Sequence, residues 1–289
     1  LLIKGVIKMK EMKNQVILIT GATDGLGKRV ARDLAELEAT VLLHGRNREK
    51  GETVLQEIRD VTGNQKLMYY NADFSSLDDV RRLSEKIQAD HERLDGLINN
   101  AGLGAGLRQS RREKSADGHE LRFAVNYLAT FLLTYRLLPL LRRSVPARIV
   151  NVASVGQQPI DFDDVMLENR YDGLRAYRQS KLALVMFTFD LAEELRESGV
   201  TVNSLHPASL MPTRMVLETD YFGSPMSTIE EGAQAVEQLA ASSDVEGLSG
   251  EYFDGKQRGQ ANPQAYDKEA RRRLKMLSHQ LTEVKGFSD

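Results

Sequence analysis

Residues 16–27 read Val16-Ile17-Leu18-Ile19-Thr20-Gly21-Ala22-Thr23-Asp24-Gly25-Leu26-Gly27: an apolar β-branched run, a turn rich in glycine, and the onset of a helical pattern. Glycines at such a junction allow a tight turn, close approach of backbone to a pyrophosphate, and close packing of helix on strand. The helix that follows presents unpaired N–H groups and the positive end of its dipole. The spacing is G-x-x-x-G-x-G rather than G-x-G-x-x-G, so the meaning comes from its place between a first strand and a first helix. Gly21, Thr23, Asp24, Gly25, Leu26 and Gly27 are therefore expected to contact a dinucleotide.

Outward from this turn, short β-rich runs alternate with longer amphipathic stretches, the pattern of βαβ units. Strands are expected at Val16–Thr20, Thr40–His44, Lys66–Tyr70, Gly96–Asn99, Arg148–Ala153, Thr201–Leu205 and Glu251–Phe253. Helices are expected at Gly25–Leu37, Arg48–Val61, Leu77–His91, Gly118–Arg143, Leu174–Ser198 and Ile229–Ala241, with a polar C-terminal helix near Tyr266–Val284. The fold class is α/β: a single doubly wound Rossmann-type domain over 13–289, its seven-stranded sheet mostly parallel and covered by helices on both faces. Residues 1–12 read as a leader, too short and too interrupted by lysine to cross a bilayer.

Composition narrows the function. With 41% apolar and 28% charged residues the chain reads as globular, and a formal charge of −2 gives no general attraction to nucleic acid or anionic membrane. There is no cysteine, which removes thiol chemistry and fits a reducing, cytoplasmic setting. The five histidines lack metal-ligand spacing, so no metal is expected.

The second strand runs into Gly45-Arg46-Asn47-Arg48, with no carboxylate where an NAD enzyme holds the ribose 2′-hydroxyl. Arg46, with Asn47 beside it, could instead meet a 2′-phosphate through a planar fork of donors, which favours NADP(H) over NAD(H). Further on, Tyr177-Arg178-Gln179-Ser180-Lys181 sets a phenol and an ammonium on one face of a helix. A nearby cation favours phenolate and is expected to lower the tyrosine pKa, making an acid or base usable near neutral pH. Tyr252 and Lys256 repeat this spacing, but Asp254 and Gly255 make that copy a strand-end turn.

Together these residues resemble the short-chain dehydrogenase/reductase family from about Lys13 to Phe253. The marks stand in order: Thr20-Gly21-x-x-x-Gly25-x-Gly27, Asp73, Asn99-Asn100-Ala101-Gly102, Asn126, Ser154 and Tyr177-x-x-x-Lys181. The resemblance implies that Ser154 binds the substrate oxygen, Tyr177 passes the proton, and Lys181 binds nicotinamide ribose while polarising Tyr177. It implies that Asn126 holds a water on the proton path, that Asp73 and Phe74 flank the adenine, and that Asn99, Ala101 and Gly102 line the adenine-ribose channel. Pro207 and Thr213 would close on the carboxamide, although Ala208 stands where the family commonly has glycine. The long interval from Ser154 to Tyr177, Arg46 after Gly45, and Asp117-Gly118-His119-Glu120 are most like the branch related to retinol dehydrogenases.

The expected activity is hydride transfer between NADP(H) and a small carbonyl or alcohol. A non-catalytic NADP(H)-binding regulator and another reductase or isomerase on the same fold stand as alternatives. Substrate choice lies in 103–112, 155–173 and 210–227, where Met211, Met215, Tyr221 and Phe222 hint at an apolar pocket. The helices carrying Asn126 and Tyr177 have faces that could pair in a homodimer or homotetramer.

Overall fold

Alternation within each strand splits the core into two layers. In β1 (Val16–Ile19), Leu18 packs with one set of helices, while Ile17 and Ile19 pack with the other. The same division runs through β2 (Thr40–Gly45), β3 (Leu67–Asn71), β4 (Gly96–Asn99), β5 (Ala147–Val152) and β6 (Val200–His206), all parallel. The computed structural model describes residues 11–221 and 223–284. Phe222 and the leader residues 1–10 therefore lie outside the described residues. Met12, expected in the leader, is buried in the core against the first helical layer.

The sheet order is β3-β2-β1-β4-β5-β6-β7-β8. Seven strands were expected and eight are present among the described residues: after β7 (Tyr252–Asp254) the chain turns at Gly255 and returns as β8 (Gln257–Arg258), antiparallel to it. Two residues give too little alternation to read as a strand from sequence. One face of the sheet carries α1 (Gly25–Glu36), α2 (Arg48–Thr62) and α7 (Ile229–Ala241). The other carries α3 (Leu77–Asp90), α4 (Leu121–Arg143) and α5 (Gly173–Glu194), with α8 (Lys268–Thr282) outside them. A short α6 (Arg214–Leu217) interrupts a stretch expected to be irregular.

Among the described residues α4 is the one helix long and apolar enough to cross a membrane, and 89% of its most apolar stretch is buried within the fold. It is a core helix. Its first turns are wound as a π-helix over Ala124–Leu128, which places Asn126 in the widened turn.

Candidate active site

Successive strands are added to one side of β1 up to β3 and to its other side from β4 onward, and in open α/β sheets the ligand crevice lies at that switch point. Thr20 ties the two strand ends together: its hydroxyl accepts from the Asn100 and Ala101 N–H groups at 2.9 and 3.0 Å. Asn100 donates back to the Thr20 and Gly21 carbonyls at 2.9 and 3.0 Å. A Cβ on Gly21 would lie 2.8 Å from Ala101 Cα, and one on Gly27 would lie 2.3 Å from the Gly21 carbonyl oxygen. Only glycine fits this crossing, which leaves the first turn of α1, including Leu26 and Gly27, with its N–H groups facing the crevice. The Leu26 side chain itself packs in the core beside Met211.

The rim of this cradle is charged. Asp24 caps α1 through the Gly25 N–H at 2.8 Å. Lys50 donates to Asp24 at 2.5 Å and holds its carboxyl below the usual range. Lys50 was not singled out in the sequence. Thr23 packs its methyl against Gly45, at the end of β2. Beyond it Arg46 is exposed, and no described side chain pairs with its guanidinium. Asn47 caps α2, accepting from the Lys50 N–H at 2.9 Å.

Below the glycine turn stands another residue the sequence did not mark. His44 is buried, stacked on Phe74 with ring centroids 4.2 Å apart. Its Nε2 donates to the Ala72 carbonyl at 3.1 Å and its Nδ1 accepts from the Gly21 N–H at 3.4 Å, so burial holds it neutral, with a pKa pulled down to about 4. Phe74 therefore serves the wall through this stack rather than facing the crevice. Asp73 holds the Ser75 N–H at 2.9 Å in the turn before α3. The Asn99 amide points inward, donating to Thr134 at 3.1 Å and Asn151 at 2.8 Å, so any part it has in the channel is its backbone's.

Ser154 follows β5, and Tyr177 and Lys181 lie one turn apart on α5. A Cβ on Gly156 would be 3.4 Å from Ser154 Oγ and 3.8 Å from Tyr177 Cε1, so the two groups meet over Gly156. Lys181 is buried and donates to the Val152 carbonyl at 2.8 Å. A Cβ on Gly102 would stand 3.6 Å from Lys181 Nζ and 3.2 Å from Asn126 Oδ1. The four expected catalytic side chains thus converge beside the glycine cradle.

Two details differ from expectation. Lys181 Nζ is 5.9 Å from the Tyr177 ring centroid and engaged with Val152. Burial therefore dominates and raises the Tyr177 pKa, with a Ser154 hydrogen bond opposing it. Burial also lowers Lys181 to about 8. The Asn126 amide is already satisfied, accepting from the Leu103 N–H at 2.7 Å and donating to the Leu103 carbonyl at 3.1 Å and Ser180 at 2.9 Å. Its side chain anchors the loop after β4.

That loop closes over the site with the segment after β6. Thr213 Cγ2 lies 3.1 Å from the Cβ position of Gly25, and Met215 covers Gly104. Pro207 is buried, and the left-handed residue of the turn is Leu210 rather than Ala208. Thr219 donates to the Gly106 carbonyl at 2.6 Å, and the Arg108 N–H donates to Asp220 at 2.8 Å. Beneath, Arg122 is buried, donating to the Gly104 and Ala105 carbonyls at 2.8 Å each and to Tyr171 at 2.6 Å. Tyr252 does not join Lys256; it donates to the Ser154 carbonyl at 3.2 Å, while Lys256 pairs with Gln234.

This architecture defines a nucleotide-crevice oxidoreductase class. Residues 15–221 match the family model described as short chain dehydrogenase, and the chain belongs to that family. It is similar to retinol dehydrogenase 13 of Homo sapiens, with 38% identity over 290 residues, covering 95% of this chain and 86% of the relative. A crystal structure from Mycobacterium paratuberculosis matches at a TM-score of 0.77 and 28% identity, covering 96% of each chain. A Shigella flexneri short-chain dehydrogenase complexed with NADP matches at 0.70 and 28% identity, covering 86% of this chain and 100% of that one. The likeness to the retinol dehydrogenase branch holds.

Proposed function

We propose that this chain is an NADP(H)-dependent oxidoreductase interconverting a carbonyl and an alcohol. The convergence of Ser154, Tyr177 and Lys181 beside the glycine cradle carries the reading. The cradle at Gly21, Gly25 and Gly27 and the α1 N-terminus fit a pyrophosphate, and unpaired Arg46 fits a 2′-phosphate. Asp73 and the backbone of Asn99, Ala101 and Gly102 would flank the adenosine half. Pro207 and Thr213 would flank the nicotinamide. Bound NADP(H) would supply or accept the hydride.

The chain's own groups manage the oxygen and its proton. Ser154 and Tyr177 would orient the substrate oxygen by hydrogen bonds, and positioning of this kind supplies much of an enzyme's rate. The raised Tyr177 pKa keeps the phenol protonated at neutral pH, so it is ready to donate as negative charge grows on that oxygen. Lys181, still largely cationic at pH 7, would stabilise the phenolate left behind. In oxidation the acceptor would be the Tyr177 phenolate, the form that Lys181 would stabilise, so that direction requires Tyr177 to lose its proton first.

Tyr177→Phe tests the assignment. Turnover of a panel of aldehydes, ketones and alcohols should fall about a hundredfold to ten-thousandfold while NADPH affinity stays within about twofold, on the usual scale for a general acid–base group. Retained turnover would overturn it. An NADP(H)-binding regulator would show cofactor binding with no turnover of any panel member by the unmodified chain.

The cysteine-free composition is compatible with the cytoplasmic setting we propose. The faces of α4 and α5 suggested for subunit pairing are covered in part by α8, through Tyr127–Ser278 and Arg271–Asp190 contacts. We therefore favour a monomer over a dimer built on those helices.

A further inference from the structure

We infer that Tyr69 is a positioning residue for NADPH selectivity, fixing the two-residue connection that presents Arg46; this rests on the reading that Arg46 meets the 2′-phosphate. The connection between β2 and α2 is Arg46-Asn47, flanked by Gly45 and Arg48. From β3 below, the Tyr69 hydroxyl lies 2.8 Å from the Gly45 carbonyl oxygen and 2.8 Å from that of Asn47. One phenolic proton is shared between the carbonyls on either side of Arg46. Asn71 completes the clamp, donating to the Gly45 carbonyl at 3.0 Å and to the Tyr69 hydroxyl at 3.3 Å.

The surrounding sequence makes room for this phenol. A Cβ on Gly51, in the first turns of α2, would fall 2.0 Å from Tyr69 Cζ, inside the ring's van der Waals surface. Glycine in a helix interior costs stability, so its presence here needs a reason, and the ring supplies one. A Cβ on Gly45 would lie 3.2 Å from the same hydroxyl. The result is an exposed, unpaired arginine whose backbone is held on both sides. Such preorganisation reduces the ordering that a bound anion must impose. An NADH molecule has no 2′-phosphate and draws nothing from the clamp.

The test is direct binding of NADPH and NADH to the full chain by titration calorimetry, with thermal melts as a control for folding. Tyr69→Phe keeps the ring and removes the hydroxyl. It should raise the NADPH Kd about fivefold, the loss expected of one hydrogen bond, and leave the NADH Kd within about twofold. Gly51→Ala, which drives a methyl into the ring, should reproduce the selective loss. Arg46→Ala should raise the NADPH Kd at least tenfold, the scale of a charge-assisted hydrogen bond. If Arg46→Ala narrows the preference for NADPH over NADH while Tyr69→Phe leaves it unchanged, the positioning role is overturned and the Arg46 reading survives. If Arg46→Ala changes nothing, both are overturned.

Discussion

His44 shows how a single side chain can brace a site without entering it. Its imidazole joins the glycine turn, the end of β3 and Phe74, and it is held neutral with a pKa near 4 against an ordinary 6.5. Between those two values the unfolded chain binds a proton that the folded one refuses, so stability falls as pH drops through 6.5 and goes on falling to about 4. The shift corresponds to about 3 kcal/mol. Urea unfolding of wild type and His44→Gln at pH 7.0, 5.5 and 4.5 should show a shallower acid loss in the variant; parallel losses would refute the account. Nothing in the sequence marked this residue, because its partners Ala72 and Phe74 sit far along the chain. The tyrosine and lysine were legible because their spacing falls inside a helical pattern, which puts them on one face, as the same spacing at Tyr252 and Lys256 does not. The direction of the Tyr177 shift was not, since it depends on where Val152 and Ser154 lie.

At the level of elements, the periodic signals in the sequence found each long helix to within a few residues. The glycine turn and the strand ends followed from that frame, whereas Ser154 was marked only by the family resemblance. The π-turn holding Asn126 escaped notice because widening a helix by one residue leaves the apolar pattern almost intact. The docking of α8 was also hidden, since an amphipathic face announces that it will be covered but not by what. Here the cover is internal: Leu274 is buried, Ser278 bonds Tyr127, and Arg271 pairs with Asp190 at 3.1 Å and Glu193 at 3.0 Å. Leu274→Ala should cost about 3 kcal/mol and lower the melting temperature by roughly 6 °C. A calorimetric shift of less than 1 °C would mean that α8 rests on the domain without stabilising it.

In the whole molecule the two halves of the site differ in how they are built. The half proposed for the cofactor rests on strand ends and helix N-termini, whose positions follow from topology and were legible for that reason. The half proposed for the substrate draws on three separate connections, 103–112, 155–173 and 210–227, and the contacts among their described residues could not be read in advance. Arg122 supports one of them from inside, while Asp220 and Thr219 join it to another from outside. Asp220→Ala removes an exposed partner of the Arg108 N–H, so amide hydrogen exchange should quicken about fivefold across 214–221, as expected for one lost hydrogen bond, with β1 and β4 unaffected. Unchanged exchange in that segment would show that the Thr219 contact suffices to hold it.

The position of α8 in the chain has a consequence for synthesis. Phe131, Tyr135 and Phe187 stack together beneath it, and His279 on α8 meets the first two of these rings edge-on. As residues 268–282 follow the sheet and the helices that carry these rings, a growing polypeptide leaving the ribosome carries this aromatic surface bare until α8 emerges. During that interval the nascent domain offers chaperones, or its neighbours on the same messenger, a sticky patch that the finished protein conceals.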